Sequence, residues 1–473
     1  MKPFYLAGEW RSSGEGFEVR SPYDGRLVES AARPGPGEAE EALAKAARAF
    51  NMTRTLPAHV RANALAHISA RISERSEELA RLITDESGKP LKASRVEVAR
   101  AVGTFRWAAE EARRRDGDFL RVDTAAGAEG RAVIVRSFPR GAVLGITPFN
   151  FPLNLVAHKV GPALGVGCPI LLKPAGATPL TALALAEIVA ETDLPPETLS
   201  VLPLTGEHTE ALLADERVKV LSFTGSAAVG WRLKELSPRR QVTLELGGNA
   251  PVIVHADADL DDAAERIASG GFAQAGQSCV SAQRILVQRS VYVQVLERIV
   301  ERVRGLVVGD PSDPATDVGP LIDPGALERV AAWVDEAVQL GGEVLTGGKR
   351  EDPLYHPTVL AGVPRSARVC RDEVFGPVVT VDAYDRIEEA IEIANDSAYG
   401  LHAGIFTRDP AVAFLAFRDL EVGGVIWNDT SNWRADQMPY GGTKSSGFGR
   451  EGLRHAMDEM CEVKVLGLSG LPL

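Results

Sequence analysis

From residue 141 to residue 246, short apolar runs alternate with segments of helical periodicity, and this alternation restricts the possible folds more than any other feature. The apolar runs predict strands at residues 142–147, 170–173, 200–202, 219–223 and 242–246. Strands that are connected through helices run parallel, and helices then cover both faces of their sheet. The sequence therefore predicts an α/β protein with a parallel sheet in this part of the chain.

A second α/β series and a helix-rich first third complete the pattern. Strands are predicted at residues 251–254, 284–287, 377–381, 403–406 and 424–427, and helices at residues 39–50, 58–86 and 95–115. A chain of 473 residues is too long for one compact core, so we expect two or three domains. Apolar and polar residues alternate at 131–136, which predicts an exposed hairpin arm. Residues 461–466 predict a terminal strand, of the kind that is often paired in an oligomer.

Charge and hydropathy limit the partners and the location of the chain. It carries 52 Lys and Arg residues against 64 Asp and Glu residues, for a formal net charge of −12. Such an acidic surface repels nucleic acid and anionic lipid, so neither is an expected partner. The N-terminus lacks the apolar core of a signal peptide, and no segment approaches the roughly 18 uninterrupted apolar residues of a membrane span. We therefore expect a cytoplasmic protein without a membrane segment.

Cys279 is the candidate reactive thiol among four cysteines, which lie at positions 168, 279, 370 and 461. Their wide spacing predicts neither a disulfide framework nor a metal site. Cys279 precedes a predicted strand, so a loop held by a rigid element would present it. A buried, inert cysteine is the alternative, and it is the interpretation that we prefer for the other three. An attacking thiol must lose its proton, so it needs a base or a bound cation nearby.

Two further side chains are candidates for acid–base and electrostatic roles. Glu245 lies near the end of an apolar strand, where burial would raise its pKa toward neutrality, as suits a general base. A salt bridge at the strand end is the alternative interpretation. Asn150 lies between two prolines in the segment 148–152 and could donate a hydrogen bond to an oxyanion. An Asx turn is the alternative there.

Two segments suggest a dinucleotide site. Gly225 and Ser226 follow a predicted strand and open a helix, whose first backbone N–H groups suit a pyrophosphate. The segment differs from the usual Gly-x-Gly-x-x-Gly fingerprint. Lys173 ends a predicted strand, where it could meet ribose hydroxyls or a phosphate; a solvated strand end is the alternative.

These segments together resemble the aldehyde dehydrogenase superfamily, in the family's order and over essentially the whole chain. The seven motifs are Pro-Phe-Asn-Phe-Pro at 148–152, Leu-Lys-Pro-Ala at 172–175, Phe-Thr-Gly-Ser at 223–226, Leu-Glu-Leu-Gly-Gly-Asn at 244–249, Gly-Gln-Ser-Cys at 276–279, Glu-Val-Phe-Gly-Pro at 373–377, and Pro-Tyr-Gly-Gly at 439–442 leading to Gly452. The resemblance implies a Rossmann-type dinucleotide-binding domain (1–120 and 141–246) and an α/β catalytic domain (247–450). It also implies a small β oligomerisation element (121–140 and 451–473) in a homodimer or homotetramer.

The resemblance also implies roles for individual residues. Cys279 matches the nucleophile, Glu245 the base for the thiol or for the hydrolytic water, and Asn150 the oxyanion donor together with the backbone N–H of Cys279. The implied cofactor is NAD or NADP, and the matching contact residues are Lys173, Gly225, Ser226, Glu373 and Phe375. The implied reaction oxidises an aldehyde to a carboxylic acid through a thiohemiacetal and a thioester on Cys279.

The chain departs from many NAD-preferring relatives at Gly176, where they have a glutamate that binds the adenosine ribose. A carboxylate there would repel a 2′-phosphate, and glycine cannot. The sequence therefore predicts that NADP is tolerated or preferred.

The predicted substrate tunnel is polar. Arg434 occupies the place of an aromatic residue in broad-range relatives, and His158 that of a common tryptophan; Phe151 and Tyr440 are the other predicted tunnel residues. A guanidinium suits a carboxylate or phosphate, so we expect a small polar or anionic aldehyde of the lactaldehyde, semialdehyde or glyceraldehyde-phosphate type. Alternatively, Arg434 pairs with Asp436 or Asp429 and never meets the substrate.

Two other functions remain open at this point. A CoA-acylating aldehyde dehydrogenase would use the same cysteine and pass the acyl group to a thiol, but such relatives commonly lack the glutamate at position 245. A non-catalytic dinucleotide-binding protein would lose its chemical residues first, whereas Cys279, Glu245 and Asn150 are all present.

Overall fold

The computed structural model of the protein describes residues 1–115 and 117–470. Its α-helices are α1 (Pro36–Thr53), α2 (Ala58–Glu74), α3 (Ser76–Ser87), α4 (Leu91–Arg114), α5 (Asn154–Val166), α6 (Leu180–Ala190), α7 (Gly206–Ala214), α8 (Ala227–Glu235), α9 (Leu260–Phe272), α10 (Tyr292–Arg304), α11 (Pro324–Gln339), α12 (Arg368–Arg371), α13 (Ile387–Asn395), α14 (Pro410–Asp419) and α15 (Leu453–Glu459). Among these residues, no helix combines the length and the apolar character that a membrane crossing requires.

The strands of the described residues form two large sheets and several small ones. They are β1 (Phe4–Leu6), β2 (Glu9–Arg11), β3 (Gly16–Arg20), β4 (Leu27–Ala32), β5 (Asp118–Arg121), β6 (Arg131–Pro139), β7 (Ala142–Ile146), β8 (Ile170–Lys173), β9 (Leu199–Val201), β10 (Val218–Thr224), β11 (Gln241–Glu245), β12 (Ala250–Val254), β13 (Ala282–Gln288), β14 (Glu343–Thr346), β15 (Arg350–Glu351), β16 (Leu354–Tyr355), β17 (Thr358–Ala361), β18 (Val378–Tyr384), β19 (Tyr399–Gly400), β20 (His402–Phe406), β21 (Gly424–Trp427), β22 (Thr443–Lys444), β23 (Gly447–Phe448) and β24 (Cys461–Ser469).

The first large sheet has the strand order β2-β1-β9-β8-β7-β10-β11-β23. Its five central strands are parallel, and antiparallel strands close both edges. From β7 the chain builds outward through β8 and β9, and it then returns to the other side of β7 to add β10 and β11. The loops that follow β7 and β10 therefore diverge, and this is the place where doubly wound sheets bind their ligands. The α/β class predicted from the sequence is confirmed.

The second large sheet has the order β14-β17-β18-β13-β12-β20-β21 and is parallel except for β14. Only residues 246–249 separate β11 of the first sheet from β12 of the second. The carboxyl edge of the first sheet consequently faces the amino edge of the second. Glu245 ends β11 on one side of this junction, and Cys279 precedes β13 on the other.

Each large sheet has its own apolar core. The first core packs α1, α2, α4, α5 and α6 against the first sheet, with Leu65, Phe105 and Leu144 fully or almost fully buried. The second packs α9, α10 and α11 against the second sheet around Phe272 and Ile299. Complete burial of such a side chain contributes about 1.5–3 kcal/mol. Two separately stabilised layers thus hold the junction between them in a defined geometry.

A third, three-stranded sheet projects its apolar side chains to solvent. β24 pairs antiparallel with β6 along nine residues, and β5 adds to the far side of β6. Val463, Val465 and Leu466 of β24 and Phe119 of β5 are exposed. The predicted arm and the predicted terminal strand are therefore partners within one chain.

The prediction of a single helix at residues 58–86 is wrong, because Arg75 leaves helical geometry and separates α2 from α3. Its guanidinium pairs with Glu78 and with Glu187 of α6, and the bend lets α3 pack against α4 and α6. Both helices keep apolar residues at helical spacing, so the sequence pattern runs through the break. The short strands β1 to β4 were also not predicted. β1 pairs antiparallel with β9, a strand almost two hundred residues further along the chain, so no local pattern indicates it.

Candidate active site

Two cavities converge on Cys279 and Glu245. The first has a volume of about 440 Å³ and the second about 360 Å³. Both are lined by Cys279, Glu245, Leu155 and Thr224. A molecule in either cavity therefore reaches the same thiol and the same carboxyl group.

The first cavity lies at the reversal point of the first sheet. Residues 148–150, which follow β7, line one side, and Thr224, Gly225 and Ser226, which end and follow β10, line the other. The Gly225 N–H donates to the carbonyl oxygen of Glu245 at 3.0 Å, which ties the loop to the end of β11. Strand order alone thus brings three separate motifs to one cavity.

The loop that presents Cys279 has an unusual backbone. Gln274, Ala275 and Gly276 all have positive φ angles, of 52°, 55° and 69°. A Cβ on Gly276 would lie 2.1 Å from the carbonyl oxygen of Gly376, so only glycine fits there. Left-handed geometry at non-glycine residues costs about 1–3 kcal/mol each and persists where the surroundings impose it. The side chain of Gln277 supplies such a restraint, because it bonds to Ile322 and Pro320.

The thiol of Cys279 is half-buried, and its Sγ lies 3.2 Å from the hydroxyl oxygen of Tyr440. Burial raises the pKa of this thiol to about 12, although the Tyr440 hydrogen bond acts in the opposite direction. The charges of Glu373 and Glu245 add to the rise in pKa, and the Arg434 cation opposes it. At neutral pH the sulfur therefore carries its proton and requires a base before it can attack.

Glu245 has the environment of a base that binds protons strongly. Its side chain is 2% exposed, and neither carboxyl oxygen has a hydrogen-bond partner among the described residues. Burial, followed by the charge of Glu451, raises its pKa well above the usual range. It takes part in none of the salt bridges that residues 1–115 and 117–470 form, so the alternative of a strand-end ion pair does not hold.

Asn150 places an amide beside the Cys279 loop. Its Nδ2 donates to the carbonyl oxygen of Gln277 at 2.9 Å, and its backbone oxygen accepts from the side chain of Gln274. An amide nitrogen has two N–H donors, so one is left for a further acceptor. The backbone N–H of Cys279 likewise donates to none of the described residues. The side chain of Asn150 bonds to Gln277 in the loop that carries Cys279. An Asx turn would require a bond within the loop of Asn150 itself, so that alternative does not hold.

The remaining cofactor candidates divide into two places. Glu373 and Phe375 line the first cavity with Gly225 and Ser226. Glu373 accepts a hydrogen bond from the Gly248 N–H at 2.9 Å, and burial raises its pKa to about 7. The ring of Phe375 meets that of Phe149 edge-on at 5.9 Å.

Lys173 and Gly176 lie outside both cavities, at and beyond the end of β8. Lys173 is half-buried, and its pKa is lowered by burial and by the nearby Arg33 cation. Gly176 is exposed, and a Cβ at this position would meet nothing within 4 Å. A larger side chain would therefore fit at position 176 without a clash.

A dinucleotide fits the residues that the structure brings together. The hydroxyl oxygen of Thr224 is buried in the wall of the first cavity without a partner among the described residues. Ser226 precedes α8 without using its side chain as a cap, so the first N–H groups of that helix remain available to an anion.

The second cavity contains three of the four predicted tunnel residues, Phe151, Arg434 and Tyr440. The fourth, His158, is fully buried behind Arg434 and lies 3.4 Å from its Nη2. The guanidinium carbon of Arg434 lies 3.7 Å from the centre of the Tyr440 ring. Its Nε is buried without a partner among the described residues.

Neither proposed acidic partner of Arg434 pairs with it. Asp436 accepts from Arg100 at 2.6 Å and from His158 at 2.9 Å, and Asp429 pairs with Arg266 at 2.7 Å. The nearest carboxylate to Arg434 is that of Glu451, at 3.9 Å. Arg434 therefore keeps donor capacity at the wall of the second cavity.

Sequence reasoning missed several charged residues of the second cavity. Arg100, the buried ion pair of Lys89 with Glu97, and Glu451, which pairs with Lys159 at 2.9 Å, all belong to this group. Glu97 and Arg100 lie three residues apart on α4 and therefore share one helix face. Charged residues on the inward face of the otherwise amphipathic helix α4 were the signal that could have revealed Glu97 and Arg100.

The comparisons with known proteins agree with this geometry. Residues 10–466 match the model of the aldehyde dehydrogenase family, and the chain belongs to that family. The chain is 43% identical to 3-sulfolactaldehyde dehydrogenase of Priestia megaterium, over 98% of this chain and 97% of that protein. It has a TM-score of 0.98 and 42% identity to aldehyde dehydrogenase 21 of Physcomitrella patens in complex with the reaction product succinate, covering 100% of this chain and 98% of that one.

A second solved structure is glyceraldehyde-3-phosphate dehydrogenase GapN of Methanocaldococcus jannaschii complexed with NADP, with a TM-score of 0.92 and 38% identity over 97% of this chain and 99% of that one. The activity of the chain is NAD(P)-dependent oxidation of an aldehyde. The family, the aldehyde-dehydrogenase fold and this activity are thus confirmed as predicted from the sequence.

Proposed function

We propose that the protein oxidises a small aldehyde with an anionic group to its carboxylic acid, with Cys279 as the covalent nucleophile. The convergence of both cavities on Cys279 and Glu245 carries this proposal. One cavity then holds the dinucleotide and the other the aldehyde, and the thiol lies between them. The buried carboxyl of Glu245 at this point favours release of the acyl group to water rather than to CoA.

The chain's own residues perform the covalent steps. Glu245 takes the proton of the Cys279 thiol through one bridging water molecule, and the thiolate adds to the carbonyl carbon. The negative charge on the carbonyl oxygen is stabilised by the Asn150 amide and the Cys279 backbone N–H. Loss of a hydride from the carbon of the adduct leaves a thioester on Cys279. After Glu245 has returned its proton to solvent, it takes a proton from water, whose oxygen adds to the thioester. The carbon–sulfur bond breaks, its electron pair stays on the sulfur as the Cys279 thiolate, and the carboxylic acid leaves.

The cofactor is proposed to lie in the first cavity and to extend beyond it to Lys173 at the end of β8. Gly225 and Ser226 would hold its pyrophosphate, Lys173 and Glu373 its riboses, and Phe375 would border the nicotinamide. When bound, the oxidised nicotinamide supplies the acceptor for the two electrons that leave the adduct. In this proposal residues 1–120 and 141–246 form the cofactor domain, and residues 247–450 form the catalytic domain.

The anionic substrate class rests on the Arg434 guanidinium of the second cavity, since the Arg100 guanidinium is paired with Asp436. Arg434 and Arg100 both line it, and the Nε of Arg434 has no partner among the described residues. The names of the compared proteins include a sulfonated aldehyde, a phosphorylated aldehyde and the dicarboxylate succinate. All carry an anionic group away from the reacting carbon, which a guanidinium binds in a fork.

Arg434→Leu is expected to lower kcat/KM for succinate semialdehyde and glyceraldehyde 3-phosphate by roughly 10- to 100-fold, because a hydrogen bond to a charged group contributes about 1.5–3 kcal/mol. Steady-state kinetics with the neutral lactaldehyde as a reference substrate measure the effect. Arg434→Lys keeps the charge, and its kcat/KM for the anionic aldehydes should lie between those of the wild type and of Arg434→Leu. An unchanged KM for both anionic aldehydes in Arg434→Leu contradicts the proposed anion contact.

NADP is expected to support turnover at least as well as NAD, since no carboxylate stands at position 176. Introducing one by Gly176→Glu should reduce kcat/KM for NADP by about tenfold or more, because a 2′-phosphate would be repelled. The reaction of the same variant with NAD is the internal control, and a Cβ at 176 meets no neighbour. A strong NAD preference of the unaltered enzyme would show that this inference is wrong.

The exposed three-stranded sheet is proposed as the oligomerisation element that is predicted at residues 121–140 and 451–473, of which residues 471–473 lie outside the described part of the chain. Its unpaired apolar side chains, Val463, Val465 and Leu466, are of the kind that a second subunit covers. Light scattering distinguishes a homodimer from a homotetramer. A cytoplasmic location is proposed as well, because all four cysteines are free thiols.

A further inference from the structure

The hydroxyl of Tyr440 has an unusual partner. Tyr440 is 3% exposed, and its hydroxyl makes one hydrogen bond to the described residues, at 3.2 Å to Sγ of Cys279. A phenolic O–H is a strong donor, whereas a thiol is a weak donor and a weak acceptor. A buried hydroxyl satisfied only by a sulfur gains most when that sulfur is an anion.

The ring of Tyr440 is held so that this contact persists. The Arg434 guanidinium stacks on one face at 3.7 Å, and the ring of His402 meets it edge-on at 4.9 Å. Backbone hydrogen bonds join Tyr440 to Glu451 in both directions. A cation over the ring draws electron density from the phenol and makes its O–H a better donor. The hydroxyl is therefore directed at the sulfur before any substrate binds.

We infer that Tyr440 is a catalytic hydrogen-bond donor, which gives its O–H to the Cys279 thiolate that attacks the aldehyde. Tyr440 keeps its proton throughout, and the thiol proton goes to Glu245. This role rests on the proposed function of Cys279 as the nucleophile. The other charged groups that act on the sulfur are Glu245 and Glu373, which disfavour its anion, and Arg434, which favours it. Tyr440 is the uncharged donor that compensates the two carboxyl groups.

Tyr440→Phe removes the hydroxyl and keeps the ring that Arg434 and His402 contact. We measure the rate constant for alkylation of Cys279 by iodoacetamide, between about pH 6 and 9, by mass spectrometry of the Cys279 peptide. Loss of a hydrogen bond to the anion raises the thiol pKa by roughly one to two units. A thiolate of higher pKa is also a stronger nucleophile, which offsets part of the loss of thiolate. The rate constant should therefore fall by about three- to tenfold at each pH.

Tyr384→Phe is the matched control, because it also deletes a buried hydroxyl. This hydroxyl lies at the end of β18 in the second large sheet and donates to the carbonyl oxygen of Val254 at 3.2 Å. It should leave the alkylation of Cys279 unchanged. Wild-type alkylation of Tyr440→Phe, or an equal slowing in Tyr384→Phe, would overturn the role of Tyr440. Alkylation needs no turnover, so a failure of the proposed function is seen separately, as aldehyde oxidation that survives Cys279→Ser.

Discussion

Cys279→Ala is expected to abolish aldehyde oxidation, with a loss on the order of 10⁴-fold or more, because no other cysteine among the described residues lines either cavity. The thiol is half-buried at the end of a loop rather than packed in either core, so its removal leaves the fold intact. The dissociation constant of NADP, measured by fluorescence, should stay within about threefold of the wild-type value, since the proposed cofactor contacts lie on other residues.

Cys370→Ala is the matched control for this variant. Cys370 is buried in the second core, and burial raises the pKa of its thiol to about 11. Its removal should lower thermal stability modestly and leave turnover within about threefold of the wild-type value. Dehydrogenase activity of Cys279→Ala above the background of the assay would reject Cys279 as the nucleophile.

Asn150→Ala is expected to lower kcat by about 100- to 1000-fold, the usual cost of removing one donor to an oxyanion. The effect should fall on kcat rather than on KM, because the negative charge on the carbonyl oxygen develops only after the thiolate has added. Presteady-state measurement of NADPH formation in a single turnover reports this step directly.

The hydrogen bond from Asn150 to Gln277 also restrains the loop that carries Cys279. A fall in kcat could therefore come from a displaced thiol or from the loss of the oxyanion donor, and the two causes must be told apart. Alkylation of Cys279 by iodoacetamide provides the distinction, since it needs a placed thiol but no oxyanion donor. Asn395→Ala deletes a half-buried amide at the end of α13, which donates to the backbone carbonyl oxygen of Asp419, and should retain turnover. Near-wild-type kcat in a folded Asn150→Ala would remove this residue from the mechanism.

The parallel arrangement of the central strands of the first sheet could be anticipated from the sequence, because each strand and each turn is encoded locally. The apolar run before Glu245 predicted a strand that buries a carboxyl group, and Glu245 is 2% exposed at the end of β11. The motifs around Asn150 and Gly225 are short, and strand order brings them together wherever such a sheet forms. The roles assigned to these residues remain predictions.

The surroundings of Arg434 were only half determined by its sequence neighbours. Asp436 and Asp429 are two and five residues away, and either was a reasonable partner. In the folded chain Asp436 pairs with Arg100 on α4, and Asp429 pairs with Arg266 on α9. The Arg434 guanidinium therefore contacts the cavity and the ring of Tyr440 instead. Competition between donors that are remote in sequence decided this outcome.

What the sequence by itself determined is the alternation of strands and helices in residues 141–246, the family, and the chemical identity of the thiol, the carboxyl group and the amide, since these depend on local periodicity and short motifs. The tertiary structure alone decided the break at Arg75, the meeting of two cavities at Cys279, and the hydrogen bond between Cys279 and Tyr440, which lies 161 residues from that thiol. Local preferences act over a few residues. Contacts between distant residues depend on how the two sheets pack, and no local pattern records that packing.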